Sequence, residues 1–389
     1  FESAGSTSPL MNTLPKLLVF APTRCAASET FIRANLCGLP FQIYAYFGDE
    51  LSVSNPLQLL YGVSILISKG LTRIGWLRFS SLPGSLVALL LVQYHKPNVL
   101  LAEFGFHAIR VMNVATWTGV PLVVHFRGSD ASSESKFLKL KKKYRILMHF
   151  ASAFVVKSIP MANTLKELGA PTEWILISPS GANSTYFYGS APAKAPPLLL
   201  AVGRFVAKKG PLFTLAAFKK LLQRLPKYLS SQCQLVMVGD GPLMLDAKEM
   251  VARSDIADQV IFTGVLTPCE VAALMRKARM FVQHSNVAAD GDSEGSPVAI
   301  MEAQLSGLPV VATFHAGIPE VVLQDVTGFL VDEGDINGMA NAMAKLVLDS
   351  EMAAKMGSLG HDRIIRNFTL DHHLSALSAL LHRVIDKHS

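Results

Sequence analysis

The sequence predicts an α/β chain with parallel sheets, on three observations. Short apolar runs of strand length recur, among them Lys16-Leu-Leu-Val-Phe-Ala21, Arg279–His284 and Pro309–Thr313. Runs of this kind suit strands covered on both faces, as in parallel sheets. Between the last two runs lies loop and then helix, which makes a βαβ unit. With 389 residues, 50% hydrophobic and 17% charged, the chain is long and apolar enough for two cores.

The chain is organised around Asp292-Ser-Glu-Gly-Ser-Pro-Val-Ala-Ile-Met-Glu302 and the following Ala303–Pro309. Ser296 is expected to cap the helix and Pro297 to take its first position. Gly307 stops it and Pro309 keeps it stopped. In such sheets ligands bind at the carboxyl ends of the strands, where Glu294 and the helix N-terminus would sit. An unbroken helix would hold Glu294 and Glu302 roughly 12 Å apart along its axis. Gly295 and Pro297 instead put Glu294 on the loop and Glu302 on the helix, so that both reach one bound molecule. Exposed helical N–H groups suit a phosphate and acceptor-only carboxylates suit sugar hydroxyls, which together suggest a nucleotide sugar. Spacing alone serves equally well a solvated helix residue and a loop charge.

The pair Glu294 and Glu302, with Gly295 and Pro297 between them, resembles the E-x7-E motif of retaining GT-B glycosyltransferases, the large family 4. The resemblance runs from about Lys16 to the C-terminus, with its exopolysaccharide- and lipopolysaccharide-building subgroup resembled by Ser28-Glu29-Thr30-Phe31. It implies two Rossmann-like domains whose parallel sheets face a central cleft, and sugar transfer from a nucleotide donor to an acceptor hydroxyl with retained configuration. It also implies that Glu294 holds donor-sugar hydroxyls and Glu302 the ribose. The donor diphosphate falls to Gly295, Ser296 and Pro297 together with Arg204 and Lys209.

In chain order, residues 1–10 precede Met11, lack a basic and an apolar leader region, and are set apart from the fold. The net charge of +7 is uneven: residues 1–190 hold 17 Lys/Arg against 9 Asp/Glu, residues 191–389 hold 19 against 20. That asymmetry points to an anionic partner for the first half. Cys25, Cys37, Cys233 and Cys269 show no CxxC or metal spacing, as expected of reduced thiols in the cytoplasm. Ser28 and Glu29 open a helix after the first strand, as a cap or on the acceptor side. Leu51–Ser68 and Phe79–His95 lack Lys, Arg, Asp and Glu, but Pro56, Pro83 and several polar residues argue for buried or interfacial helices, not membrane spans. Lys136–Phe150 carries six basic residues among apolar ones, which suits either peripheral contact with anionic lipid or a solvated face.

Pro121–His125 reads as a strand running into Phe126-Arg-Gly-Ser-Asp130. Relatives in the resembled family carry a Phe-His-Gly-x-Asp-like run here, with its histidine near sugar and acceptor. Arg127 stands at that histidine's place and His125 two positions earlier; strand alternation lets either enter the crevice. Arg127 then pairs with an acidic acceptor or phosphate, or with Asp130. Ala191-Pro-Ala-Lys-Ala-Pro-Pro197 breaks regular structure, so domains of 11–190 and 191–369 are expected, with helix 370–389 returning to the first. Leu198–Val202 opens the second, and Gly203-Arg204 through Lys209-Gly210 offers a planar fork, a point charge and room for phosphate. By resemblance the nucleobase edge lies near Phe262, Thr263, Gly264 and Val265.

The expected activity is therefore retaining, metal-independent hexosyl transfer without a cofactor. The donor is a nucleotide-diphosphate sugar, UDP-sugar favoured, and the acceptor a glycan, lipid-linked or small-molecule hydroxyl. No clustered acidic metal site is seen, and no nucleic-acid partner is expected. A GT-B nucleotide-sugar 2-epimerase and a non-catalytic nucleotide-sugar-binding protein remain the alternatives.

Overall fold

The computed structural model describes residues 14–24, 30–128 and 134–388. Ser28, Glu29, Asp130 and residues 1–10 lie outside them. Two six-stranded parallel sheets form, in the order β2-β1-β3-β4-β5-β6 and β12-β11-β10-β7-β8-β9. The first holds β1 (Lys16–Ala21), β2 (Gln42–Phe47), β3 (Val99–Glu103), β4 (Leu122–His125), β5 (Ala153–Val156) and β6 (Ile175–Ile177). The second holds β7 (Leu198–Val202), β8 (Gln234–Val238), β9 (Val260–Gly264), β10 (Met280–Gln283), β11 (Val310–Thr313) and β12 (Gly328–Val331). Every residue of β3, β4, β5, β10 and β11 is buried, which accounts for their unalternating apolar sequences.

By packing, the chain divides into two compact units. Of the described residues, one comprises those within 1–124, 150–153 and 378–389; the other comprises those within 125–149 and 154–377. In the first unit, Pro56 and Pro83 sit in the first turns of helices Pro56–Arg73 and Leu82–His95, where a missing N–H costs nothing. They start these helices and do not interrupt them. Near the chain end, the His382 ring stacks on Phe41 with centroids 4.9 Å apart.

In the second unit, β7 pairs with β8 on one side and β10 on the other, so the strand order reverses there. A topological switch point of this kind opens a ligand crevice at the carboxyl ends of the two strands. The segments leaving those ends are Gly203–Gly210 and His284–Pro297. The first closes in a tight turn: Gly210 adopts φ +51° before helix Pro211–Arg224, and a Cβ there would clash with the His284 carbonyl oxygen.

The expected helix after Glu294 is Val298–Ser306, ended by Gly307 at φ +95°. Its start differs from expectation: Pro297 is the capping residue, and the Ser296 hydroxyl does not cap. It accepts instead from the Ser180 N–H at 3.1 Å, because a tertiary donor outcompetes the helix's own.

Gly210→Ala is expected to lower stability by at least about 1 kcal/mol, from the left-handed backbone alone, with the clash at His284 adding to it. Thermal denaturation reads this directly; an unchanged Tm would contradict the described turn.

Candidate functional site

At the switch point two consecutive lysines clamp two acids. Lys208 is buried and its Nζ lies 3.0 Å from an Asp292 carboxylate oxygen and 3.1 Å from the Ser293 carbonyl. Lys209 forms an ion pair with Glu294, both side chains being mostly enclosed. The turn Ala207–Lys209 after β7 is thereby tied to the loop after β10. Sequence reasoning gave Lys209 to a diphosphate and Glu294 to a sugar; the structure brings them to each other. Arg204, in the same segment, is exposed, and its side chain has no ion pair or hydrogen bond among the described residues, its carbonyl alone accepting from the Val206 N–H.

The backbone of Glu294 is held as well. Its N–H donates to His315 Nε2 at 3.0 Å, so the proton of that ring sits on Nδ1, which lies 2.5 Å from Glu333 Oε1. The second Glu333 oxygen accepts from the Val287 N–H at 2.9 Å. Lys208, His315 and Glu333 were missed by sequence reasoning. The available signal was position: His315 follows β11 at its carboxyl end, and Lys208 adjoins Lys209.

The two glutamates differ in charge. Burial would raise the Glu294 carboxyl, but the Lys209 ammonium, with Lys208 and His315 beyond it, holds it below its ordinary value. Burial pushes Glu302 up to about 8 against the weaker pull of Lys209. Glu302 keeps part of its surface exposed on helix Val298–Ser306, so its side chain is reachable. Near pH 7 Glu294 therefore accepts hydrogen bonds only, while a protonated Glu302 both donates and accepts.

Gly295 sits where nothing larger fits. A Cβ there would stand 2.6 Å from the Arg127 carbonyl oxygen, so the segment after β4 lies against the glutamate loop within the same unit. Around this meeting is a cavity of about 250 Å³ lined by Gly128, Ser158, Ser293, Glu294, Gly295 and Ala316. His125 and Arg127 are both buried beside it in sequence. Burial, then the neighbouring Arg127, Lys157 and His373, keep the His125 pKa well below its ordinary value, so its ring is neutral at pH 7. The His125 and His373 ring centroids are 5.6 Å apart, and His373 Nδ1 lies 2.7 Å from the Ser178 hydroxyl.

Phe262, Thr263 and Gly264 end β9, with the Phe262 ring 6.1 Å from that of Phe205; Val265 beyond them is exposed. Phe205, Arg204 and Lys209 line one small pocket with Gly203 and Gln283. The acceptor-side residues Ser28, Glu29 and Asp130 lie outside the described residues. Among those described, no three His, Cys, Asp or Glu side chains gather as metal ligands.

With this geometry in place, known proteins give a frame. The family described as "Glycosyl transferases group 1" matches residues 185–363. The putative colanic acid biosynthesis glycosyltransferase WcaL of Escherichia coli is 30% identical over 280 residues, 70% of this chain and 67% of its own length. The amylovoran biosynthesis glycosyltransferase AmsK of Erwinia amylovora is 31% identical over 254 residues, 64% of this chain and 61% of its own. Among solved structures, Anabaena Alr3699/HepE in complex with UDP superposes with a TM-score of 0.74 at 16% identity, covering 95% of this chain and 100% of its own. At that identity the likeness is one of fold: two parallel six-stranded sheets in the GT-B arrangement of two Rossmann-like domains.

Two outcomes test the electrostatics. Lys209→Met strands a buried carboxylate and is expected to cost about 3–5 kcal/mol, whereas Lys209→Met with Glu294→Gln is expected to cost less than the sum of the single changes. Additive losses in denaturant unfolding would contradict the ion pair. Glu302, raised from 4.5 to about 8, keeps its proton in the folded chain where the unfolded chain has lost it, so it costs stability as pH rises through that window. Glu302→Gln is then expected to melt higher than the parent at pH 9 and level with it at pH 4; the same gap at both would rule this out.

Proposed function

This chain belongs to the group 1 glycosyltransferases, and we propose that within that family it moves a hexose from a nucleotide-diphosphate sugar to an acceptor hydroxyl with retention of configuration. The observation that supports this reading is the switch-point cluster of Arg204, Lys209, Glu294 and Glu302, in which cations, a charged carboxylate and a protonated one stand together. Such a set matches the parts of a nucleotide sugar: phosphates for the cations, hydroxyls for the carboxyls. A UDP-sugar is the donor favoured, in keeping with the UDP bound by the similarly folded Anabaena protein.

The chemistry follows from charge. As the glycosidic bond to the diphosphate lengthens, the sugar becomes oxocarbenium-like and the departing diphosphate gains negative charge. Arg204 and Lys209 would meet that charge, with the N–H groups of Gly295 and of the helix start beside them. Lys209 changes partner in this account, from Glu294 to phosphate, leaving Glu294 to accept from sugar hydroxyls. Glu302 takes the ribose. The leaving diphosphate itself accepts the acceptor's proton, so neither a protein nucleophile nor a metal ion is required. His125 and Arg127 are assigned to the sugar and acceptor side. Domains of 11–190 and 191–369 fit the change of sheet between Ile177 and Leu198. An anionic or lipid-linked glycan is the acceptor class that suits the basic helix Glu134–Phe150, which exposes Lys139, Lys142 and Arg145.

Incubation with a panel of nucleotide sugars and glycan acceptors tests the reading. Acceptor-dependent release of nucleoside diphosphate is expected. Isomerised donor sugar would mark an epimerase, and binding without turnover a sugar-nucleotide binder. Arg204→Ala is expected to lower kcat/KM about ten- to a hundredfold at unchanged Tm, by loss of a charge-assisted contact of about 1.5–3 kcal/mol. Full activity in this variant would sink the diphosphate role of Arg204.

A further inference from the structure

Helices Pro56–Arg73 and Leu82–His95 pack against each other in the first unit and turn apolar side chains outward. On the first, Gln58, Tyr61 and Ile65 are buried while Leu60, Val63 and Ile67 on the other face are exposed. On the second, Leu82, Leu86 and Leu90 recur every fourth residue along one face, and all are exposed. This second helix is apolar nearly all round, a composition that ordinarily goes with enclosure on every side. The connection between the helices adds Trp76 and Phe79, 60% and 51% exposed, with ring centroids 6.4 Å apart. A contiguous apolar face of this kind marks an interaction surface.

Charge indicates the partner. From Leu51 to Ala102 the chain has Lys69, Arg73, Arg78 and Lys96 and no Asp or Glu. Lys69, Arg73 and Arg78 are exposed, the two arginines flanking Trp76 in sequence. Pairing this face with the same face of a second copy would set cations against cations. An anionic lipid surface answers both features, since aromatic rings settle at the headgroup level and Lys and Arg reach the phosphates. Among the described residues no helix is long and apolar enough to cross a membrane, so the contact is peripheral.

We propose that the outer face of this helix pair, led by Trp76 and Phe79 and with the exposed Lys69, Arg73 and Arg78 on the same segment, docks on an anionic lipid bilayer. The inference rests on the proposed function only for its purpose, which is to bring the enzyme to a lipid-linked acceptor; it needs no contribution from helix Glu134–Phe150.

Co-sedimentation of the full chain with phosphatidylcholine vesicles, with and without phosphatidylglycerol, tests it. The parent is expected to partition onto the mixed vesicles more than onto the neutral ones. A Trp76→Ser, Phe79→Ser variant is expected to partition at least about tenfold less, as loss of buried aromatic area implies. Both positions are exposed, and equal melting curves of parent and variant verify that the fold is kept. No sedimentation of the parent, or equal sedimentation of parent and variant, overturns the proposal. So does loss of binding only when Lys139, Lys141, Lys142 and Lys143 become Gln, which would place the contact on the basic helix. Concentration-dependent dimers in vesicle-free velocity sedimentation, abolished by Trp76→Ser, Phe79→Ser, would assign the face to a second copy and overturn it too. Failure of the parent to bind or turn over nucleotide sugars would count against the transferase reading and leave the vesicle result standing.

Discussion

The pairing of Lys209 with Glu294 is the constraint on which the candidate site depends. A buried carboxylate is costly unless a cation faces it, and here the cation comes from the turn after β7 while the carboxylate comes from the loop after β10. Lys208 and Asp292 repeat the arrangement beside it. Two irregular segments at the switch point are thus fixed against each other by charge, where the sheet itself has ended. His315 completes the hold from the end of β11, by accepting the Glu294 N–H.

That pair also explains why one chain keeps two glutamates eight residues apart in different states. Glu294 has a lysine at contact and stays charged; Glu302, one helix turn inside, has only the residue of that field and is raised to about 8. Lys209 is shared, so anything that draws it away alters both carboxyls. A diphosphate is a group of that kind, with charge enough to compete for the ammonium.

Much of this was legible in the sequence because it rested on local rules. The apolar runs at Lys16–Ala21 and Leu198–Val202 are strands over those same bounds, since buried parallel strands need no alternation. Gly295 and Pro297 separated loop from helix, and Glu294 and Glu302 fall on either side. Other features rested on contacts between distant segments. Ser296 looks like a cap by residue type, yet Ser180, 116 residues earlier, takes its hydroxyl. Likewise Lys208 reads as one more basic loop residue until Asp292 faces it, and His315 is a lone histidine until Glu294 and Glu333 flank it. Helices Pro56–Arg73 and Leu82–His95 read as buried or interfacial by composition; only packing shows which face is covered.

The account turns on Lys209 exchanging a carboxylate for a phosphate. Calorimetry with UDP alone tests this most directly, on the parent, Lys209→Met and Glu294→Gln. The predicted result is a loss of about tenfold or more in affinity for Lys209→Met, and undiminished affinity for Glu294→Gln, whose freed ammonium no longer has a competitor. Equal losses in both variants, or none in either, would contradict it.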